Sequence, residues 1–296
     1  NSGTPPLGGA VSSDEHIYGS FFGTLTLTGY TGTIEKWQQS VNDGLTWTDI
    51  SNTNDTYNYL TASNTRFRAV VSNSGCGNAN SEAGVVSFLN FNEYKWYGYD
   101  NTDWATNNNW LDASKPTSGA DVIISPTAIN DLILDQDYEL NSIDFSGSDK
   151  SVDLNDHDLT VSQLISGNQN SFVKTSGTGK LKVQIATNNS FLFPVGRTAY
   201  NPVRITNNTG SDDVFSVKVL DEVYANGSSG LPENKFRVQR TWDISKATPN
   251  GGSGLDLMFY WNDGELSGPM SIPALFHHEG SWVKQTGITF SGSNSL

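Results

Sequence analysis

The chain has 296 residues and a formal net charge of -14, a length that accommodates two or three domains, each with its own core. So acidic a surface lacks the basic stripe that a phosphate backbone requires, which excludes nucleic acid as a partner. Charged residues make up only 16%, and no dozen-residue window carries Ala, Leu, Glu and Lys at helical spacing, so an all-β chain with many turns is expected.

Residues 1–12 (NSGTPPLGGAVS) read as a linker, because their prolines and glycines punctuate the chain and cannot pack. A β-sandwich is expected over residues 13–90. Ile34-Glu35-Lys36-Trp37-Gln38-Gln39-Ser40 sets Ile34 and Trp37 at alternate-facing positions of one strand. Asn42-Asp43-Gly44 then supplies turn residues that tolerate positive φ, and Leu45 to Ile50 returns as the second arm of a hairpin. From Thr65 to Val71 the pattern alternates, with Phe67, Ala69 and Val71 on one face and Arg66, Arg68 and Val70 on the other. Of Trp37 and Trp47, one is the core tryptophan. The other is placed outside with Tyr57 and Tyr59, where aromatics pack across strands or stack on sugar rings.

Asn90 to Glu93 forms a junction. Beyond it Trp96, Trp104 and Trp110 precede a series of short strands separated by Gly, Asn, Asp and Ser. Leu132 and Leu134, Leu140, Ile143 and Phe145, Val152 and Leu154, Leu159, Val161 and Leu164, and Leu181, Val183 and Ile185 can form inward ladders. Their repeat of about 20 residues suits a parallel β-helix rung. A rung cannot bury its apolar face alone, so residues 94–188 read as a short β-solenoid with the tryptophan cluster as one cap. Residues 190–296 carry longer alternating strands between turns such as Asn207-Asn208-Thr209-Gly210 and Asn250-Gly251-Gly252, the pattern of a second β-sandwich. It stops at Ser293-Asn294-Ser295-Leu296, inside an apparent hairpin, so this module is expected to be truncated.

The chemistry-bearing residues point away from catalysis. The four histidines, at 16, 157, 277 and 278, form no zinc-protease frame, and His277 and His278 fall on opposite faces of a strand. No nucleophile elbow, phosphate loop or dinucleotide fingerprint occurs. Asp100 and Asp103, near Trp104 and Trp110, are the best placed carboxylates for a glycosidase pair, but the same tryptophans serve as the cap. Asp153, Asn155, Asp156 and Asp158 crowd one turn. They read either as calcium ligands or as an ordinary corner in which Asn and Asp are used for their turn chemistry. No cofactor is otherwise implied. Cys76 is the only cysteine. The longest apolar runs are four or five residues, far short of the roughly 20 that cross a bilayer, so no membrane insertion is expected of this segment.

The stretch from Gly29 to Val71 resembles the immunoglobulin-like modules found in tandem in very large secreted surface proteins of the Bacteroidota, including gliding-motility adhesins exported by the type IX pathway. The spacing Trp96-x-Gly98, Trp104, Asn109-Trp110 and Pro116 is similar to a second element of those proteins, which precedes solenoid rungs. Arg240-Thr241-Trp242-Asp243-Ile244 and Phe259-Tyr260-Trp261 resemble segments that follow them. The resemblance implies an Ig-like β-sandwich, a short parallel β-helix and a second β-sandwich in series. It also implies a cysteine near the start of the first module, paired with one in Gly-x-Cys. Here Ser74-Gly75-Cys76-Gly77 keeps the later half while Tyr18 stands at the earlier position, so a free thiol is expected. The function implied is non-enzymatic: a structural and adhesive segment of an extracellular surface protein, whose partners are surface glycans, other cells or neighbouring modules. The alternatives are an accessory glycan-binding module of a secreted polysaccharide-degrading enzyme and a self-assembling filament subunit.

Overall fold

The computed structural model describes residues 4–17, 19, 21–90, 92–145, 147–164, 167–233, 238–248, 254–265 and 274–288. Tyr18, the turn at 250–252 and the terminus at 293–296 lie outside them. The described residues are all-β, helix being confined to short 3-10 turns at Asn107–Asn109, Leu111–Ala113 and Asp263–Glu265. The chain divides into two units, Asn1–Glu93 and Tyr94–Leu296.

The first unit contains β1 (Ala10–Val11), β2 (Asp14–His16), β3 (Phe21–Thr28), β4 (Thr33–Ser40), β5 (Thr48–Ile50), β6 (Thr56–Thr61), β7 (Thr65–Ser72), β8 (Asn78–Asn80) and β9 (Gly84–Phe88). One sheet runs β1-β3-β6, so Ala10 and Val11 are a paired strand and Val11 enters the core, which corrects their reading as part of a linker. The other runs β2-β9-β7-β4-β5, with β8 also on β7. All pairs are antiparallel except β2 with β9. Leu25, Leu27 and Tyr59 of the first sheet meet Ile34, Trp37, Phe67, Ala69, Val71 and Val86 of the second in one core, a sandwich-like arrangement. Ile34 and Trp37 are three apart and belong on opposite faces of a regular strand. A bulge between Ile34 and Lys36 brings both inward, which corrects the alternation expected from sequence. Trp37 is wholly buried, and its indole N–H donates to the Asn54 carbonyl at 2.9 Å. Asp43 and Gly44, at φ 59° and 88°, make the left-handed turn that follows β4.

The second unit contains β10 (Glu93–Trp96), β11 (Asp121–Ile124), β12 (Leu132–Ile133), β13 (Tyr138–Asp144), β14 (Val152–Asp153), β15 (Leu159–Leu164), β16 (Val173–Lys174), β17 (Leu181–Ile185), β18 (Asn189–Phe193), β19 (Val195–Gly196), β20 (Val203–Asn207), β21 (Asp213–Leu220), β22 (Thr241–Lys246), β23 (Leu255–Phe259), β24 (Phe276–His278) and β25 (Trp282–Lys284). Strands β11, β13, β15 and β17 form one parallel ladder, and β12, β14, β16 and β19 a second. Leu132 lies opposite Val152, Val152 opposite Val173, and Val173 opposite Val195, so the chain returns to register about every 21 residues. The tryptophan segment covers the outer edge of β12, since the Trp104 N–H donates to the Ile133 carbonyl and the Ile133 N–H to that of Thr102.

No divide stands at residues 188–195, where the sequence places a boundary. Strand β19 continues the second ladder, and β21 pairs antiparallel with β17, so the last parallel strand is not left as an open edge. Strand β22 then pairs with β21, while β18, β20 and β23 form a separate antiparallel sheet. A single core follows this path from Trp96 to Val219.

Candidate functional site

The four residues of the Asp153–Asp158 turn are each bonded along the ladder. Asp153 Oδ1 accepts from the Asn155 N–H at 2.9 Å and the Ser176 hydroxyl at 2.6 Å. Asp156 Oδ1 accepts from the Thr178 N–H at 2.9 Å, which with the Thr178 hydroxyl holds its carboxyl below the usual range. Asp158 Oδ1 accepts from the Lys180 N–H at 2.8 Å and its Oδ2 lies 2.6 Å from Lys182 Nζ. Burial pushes the Asp158 carboxyl up, but the Lys182 and Lys180 contacts together outweigh it and the net shift is downward. Asn155 takes the left-handed conformation, at φ 53°. The carboxylates therefore tie one turn of the ladder to the next and do not converge. Among the described residues no three His, Cys, Asp or Glu side chains form a group able to hold a metal ion.

Asp100 and Asp103 are also engaged locally. Asp100 Oδ2 accepts from Asn108 Nδ2 at 3.1 Å, and Asp103 Oδ1 from the Ala105 N–H at 3.1 Å. Between them lies Asn109, wholly buried, whose Oδ1 accepts from the N–H groups of Asp100 and Asn101. Trp96, Trp104 and Trp110 are buried edge-to-face with ring centres about 5 Å apart, so they offer no face to a substrate beside these carboxylates. His277 lies 3.1 Å from Glu279, whereas His278 packs its ring on Trp282. Cys76 is a half-buried free thiol.

Tyr57 and Tyr59 do not stand outside, because β6 turns both toward the core. Tyr59 is buried, and its hydroxyl lies 2.6 Å from both Asp14 Oδ2 and His16 Nε2. Trp37 is the core tryptophan and Trp47 the outer one. Trp47 belongs to a polar face that sequence reasoning missed as a unit, the outer surface of β5, β4, β7 and β9. The Lys36 ammonium and Gln38 Nε2 both donate to Asp49 at 2.7 Å, and those bonds lower the Asp49 carboxyl's pKa. Gln38 Oε1 accepts from Arg68 Nε at 2.8 Å. The Arg68 guanidinium in turn lies 4.0 Å above the Trp47 ring, and its partial burial lowers its pKa. Arg66 forks onto Asp43 Oδ1, with Nη2 at 2.6 Å and Nε at 2.7 Å. Beside it opens a cleft of about 480 Å³, lined by residues that include Ser40, Val41, Asn42, Asn64, Arg66 and Val85. The signal available in the sequence was a pair of arginines two apart, on the solvent side of a strand, in a strongly acidic chain.

A family described only as a domain of unknown function (DUF8696) matches residues 7–90, the unit that carries this face. No curated protein and no solved structure matches the chain.

In the second unit a buried polar cluster fixes the segment after β23. Arg240 Nη2 lies 3.1 Å from Glu265 Oε1, with side chains only 10% and 6% exposed. Asn201, wholly buried, donates to both Glu265 oxygens and accepts from Arg240 Nε. Arg240 Nη1 donates outward to the Gln239 and Asp221 carbonyls, so the charged groups of the trio are all bonded and the cluster reads as a structural lock.

Proposed function

We propose that the chain is a non-enzymatic structural and adhesive segment of a large extracellular surface protein, of the kind its sequence resembles in the Bacteroidota. In this reading residues 10–90, β1 included, are an Ig-like β-sandwich and residues from 94 onward a Trp-capped short β-solenoid sealed by antiparallel strands. The strand order β1-β3-β6 facing β2-β9-β7-β4-β5, with the core tryptophan on β4, supports the first assignment. The two parallel ladders with a 21-residue return support the second. The observation that carries the functional reading is that the conspicuous carboxylates bond from turn to turn of the ladder, which makes them cross-links between successive turns. The test is bead attachment. Beads coated with the purified chain should adhere under flow to glycan-coated or cell-coated surfaces, and a polysaccharide panel should show no turnover. Beads that fail to attach, or turnover lost on Asp100→Asn or Asp103→Asn, would overturn the proposal.

The accessory glycan-binding module is the second reading, favoured by Trp47 and its arginine-rich surroundings. The domains flanking this stretch in the full-length polypeptide discriminate the two. Further Ig-like modules support adhesion, and a glycosidase domain supports the accessory role.

A further inference from the structure

We infer that the outer face of β4, β7 and β9 binds an acidic sugar, a uronate residue within a polysaccharide chain, with Arg68 as its carboxylate anchor. The inference rests on the reading that this chain presents surfaces to glycans, and adds the site and the sugar class. Arg68 is held in place on two sides. Gln38 fixes its Nε at 2.8 Å, and Trp47 supports the guanidinium plane at 4.0 Å. Those contacts occupy Nε and one face, and among the described residues no carboxylate lies within ion-pair distance of Arg68, whereas Arg66 is already neutralised by Asp43. A guanidinium so oriented offers its two terminal nitrogens as a fork that matches a carboxylate.

The cleft adjoins this anchor. A Cβ placed on Gly44 would touch both the Trp47 ring, at 3.6 Å, and Arg66 Cδ, at 3.8 Å, so the ring beneath Arg68 lies beside Arg66, which lines the cleft. The cleft, about 480 Å³ in volume, is half open to solvent, so it can receive one side of a sugar ring without enclosing it. Its lining is mainly apolar, with Val41 and Val85, while the Asn64 amide and the Asp43–Arg66 pair add polar groups that sugar hydroxyls can meet. An acidic peptide fits less well. Strands β4, β7 and β9 have neighbours on both sides, and the edge strand of this face, β5, is only three residues long, so little backbone edge is open for strand addition. The overall charge of -14 repels polyanions, so any retention must come from local contacts.

Affinity electrophoresis of the whole chain tests this, with alginate, neutral dextran, dextran sulfate or polyglutamate in the gel. Alginate is expected to retard the chain and dextran to leave it unretarded. Arg68→Met should weaken alginate retardation at least tenfold with an unchanged melting midpoint, and Arg68→Lys should fall between, because lysine keeps the charge without the fork. Should Arg68→Met lower the midpoint, Arg66→Gln serves in its place, with a severalfold loss expected. Absence of retardation by alginate, retention undiminished by the substitution, or equal retention by dextran sulfate or polyglutamate would overturn the inference. Coated beads that still attach while alginate fails to bind would sink this inference alone, and leave the adhesive reading standing.

Discussion

Leu181→Ala probes the junction at which the parallel ladder becomes antiparallel sheet. Leu181 is wholly buried and lies opposite Leu159 of β15 on one side and Val217 of β21 on the other. Truncating a fully buried leucine removes apolar contact and leaves a cavity, at a cost of about 3 kcal/mol. In a unit of this size each kcal/mol lowers the midpoint by roughly 2–4 °C, so a fall of about 6–12 °C is expected. The stronger readout is where stability is lost. Because one core joins both parts, amide protection should fall together in β15 of the ladder and in β21 beyond it, while the unit at residues 1–93 keeps its own midpoint. Differential scanning calorimetry with hydrogen exchange measures both. Loss of protection confined to residues 121–185, with residues 190–288 unaffected, would refute the single-core argument and restore a module boundary near 190.

Glu265→Gln should destabilise the second unit by about 1.5–3 kcal/mol, since it removes the closer of Arg240's two carboxylate partners and leaves Asp221 at 3.5 Å; an unchanged midpoint would contradict this. The midpoint should be flat above pH 5 and drop below about pH 4, because Asp49, Asp156 and Asp158 have folded pKa values below their unfolded ones, so their contribution is lost as the pH falls through them. Asp158→Asn should make that drop shallower, and an unchanged slope would contradict this. At the alkaline end, burial raises the Tyr200 phenol from its ordinary 10.0 to about 12, so its contribution holds below pH 10 and fades as pH climbs toward 12. Thermal melts in millimolar calcium and in chelator should coincide, because the Asp153–Asp158 carboxylates already have separate partners. A midpoint rising with the logarithm of calcium concentration would show a site there.

Local alternation made much of the fold legible. Leu132, Leu134, Leu140, Ile143, Val152, Leu154, Leu159, Val161, Leu181, Val183 and Ile185 all enter the core, as their spacing suggests. Two features were hidden for physical reasons. The bulge at Ile34–Lys36 breaks the two-residue period at the very strand that carries the core tryptophan. The pairing of β21 with β17 closes antiparallel across more than two dozen residues and has no local signature, so from sequence the longer alternating strands beyond 190 read as a separate module. The candidate site was hidden for a similar reason. Arg68, Gln38 and Trp47 are scattered in sequence, and only the registration of β4 with β7 and the hairpin that returns to β5 bring them together.

The mechanical claim is tested most directly by pulling the chain from its two ends in single-molecule force spectroscopy. At about 3.5 Å per extended residue, the two units should release contour lengths of roughly 300 Å and roughly 700 Å in separate, sharp events that recur after relaxation. A second unit that extends gradually at low force, or splits into independent steps at residue 190, would contradict a unit that resists force as one body.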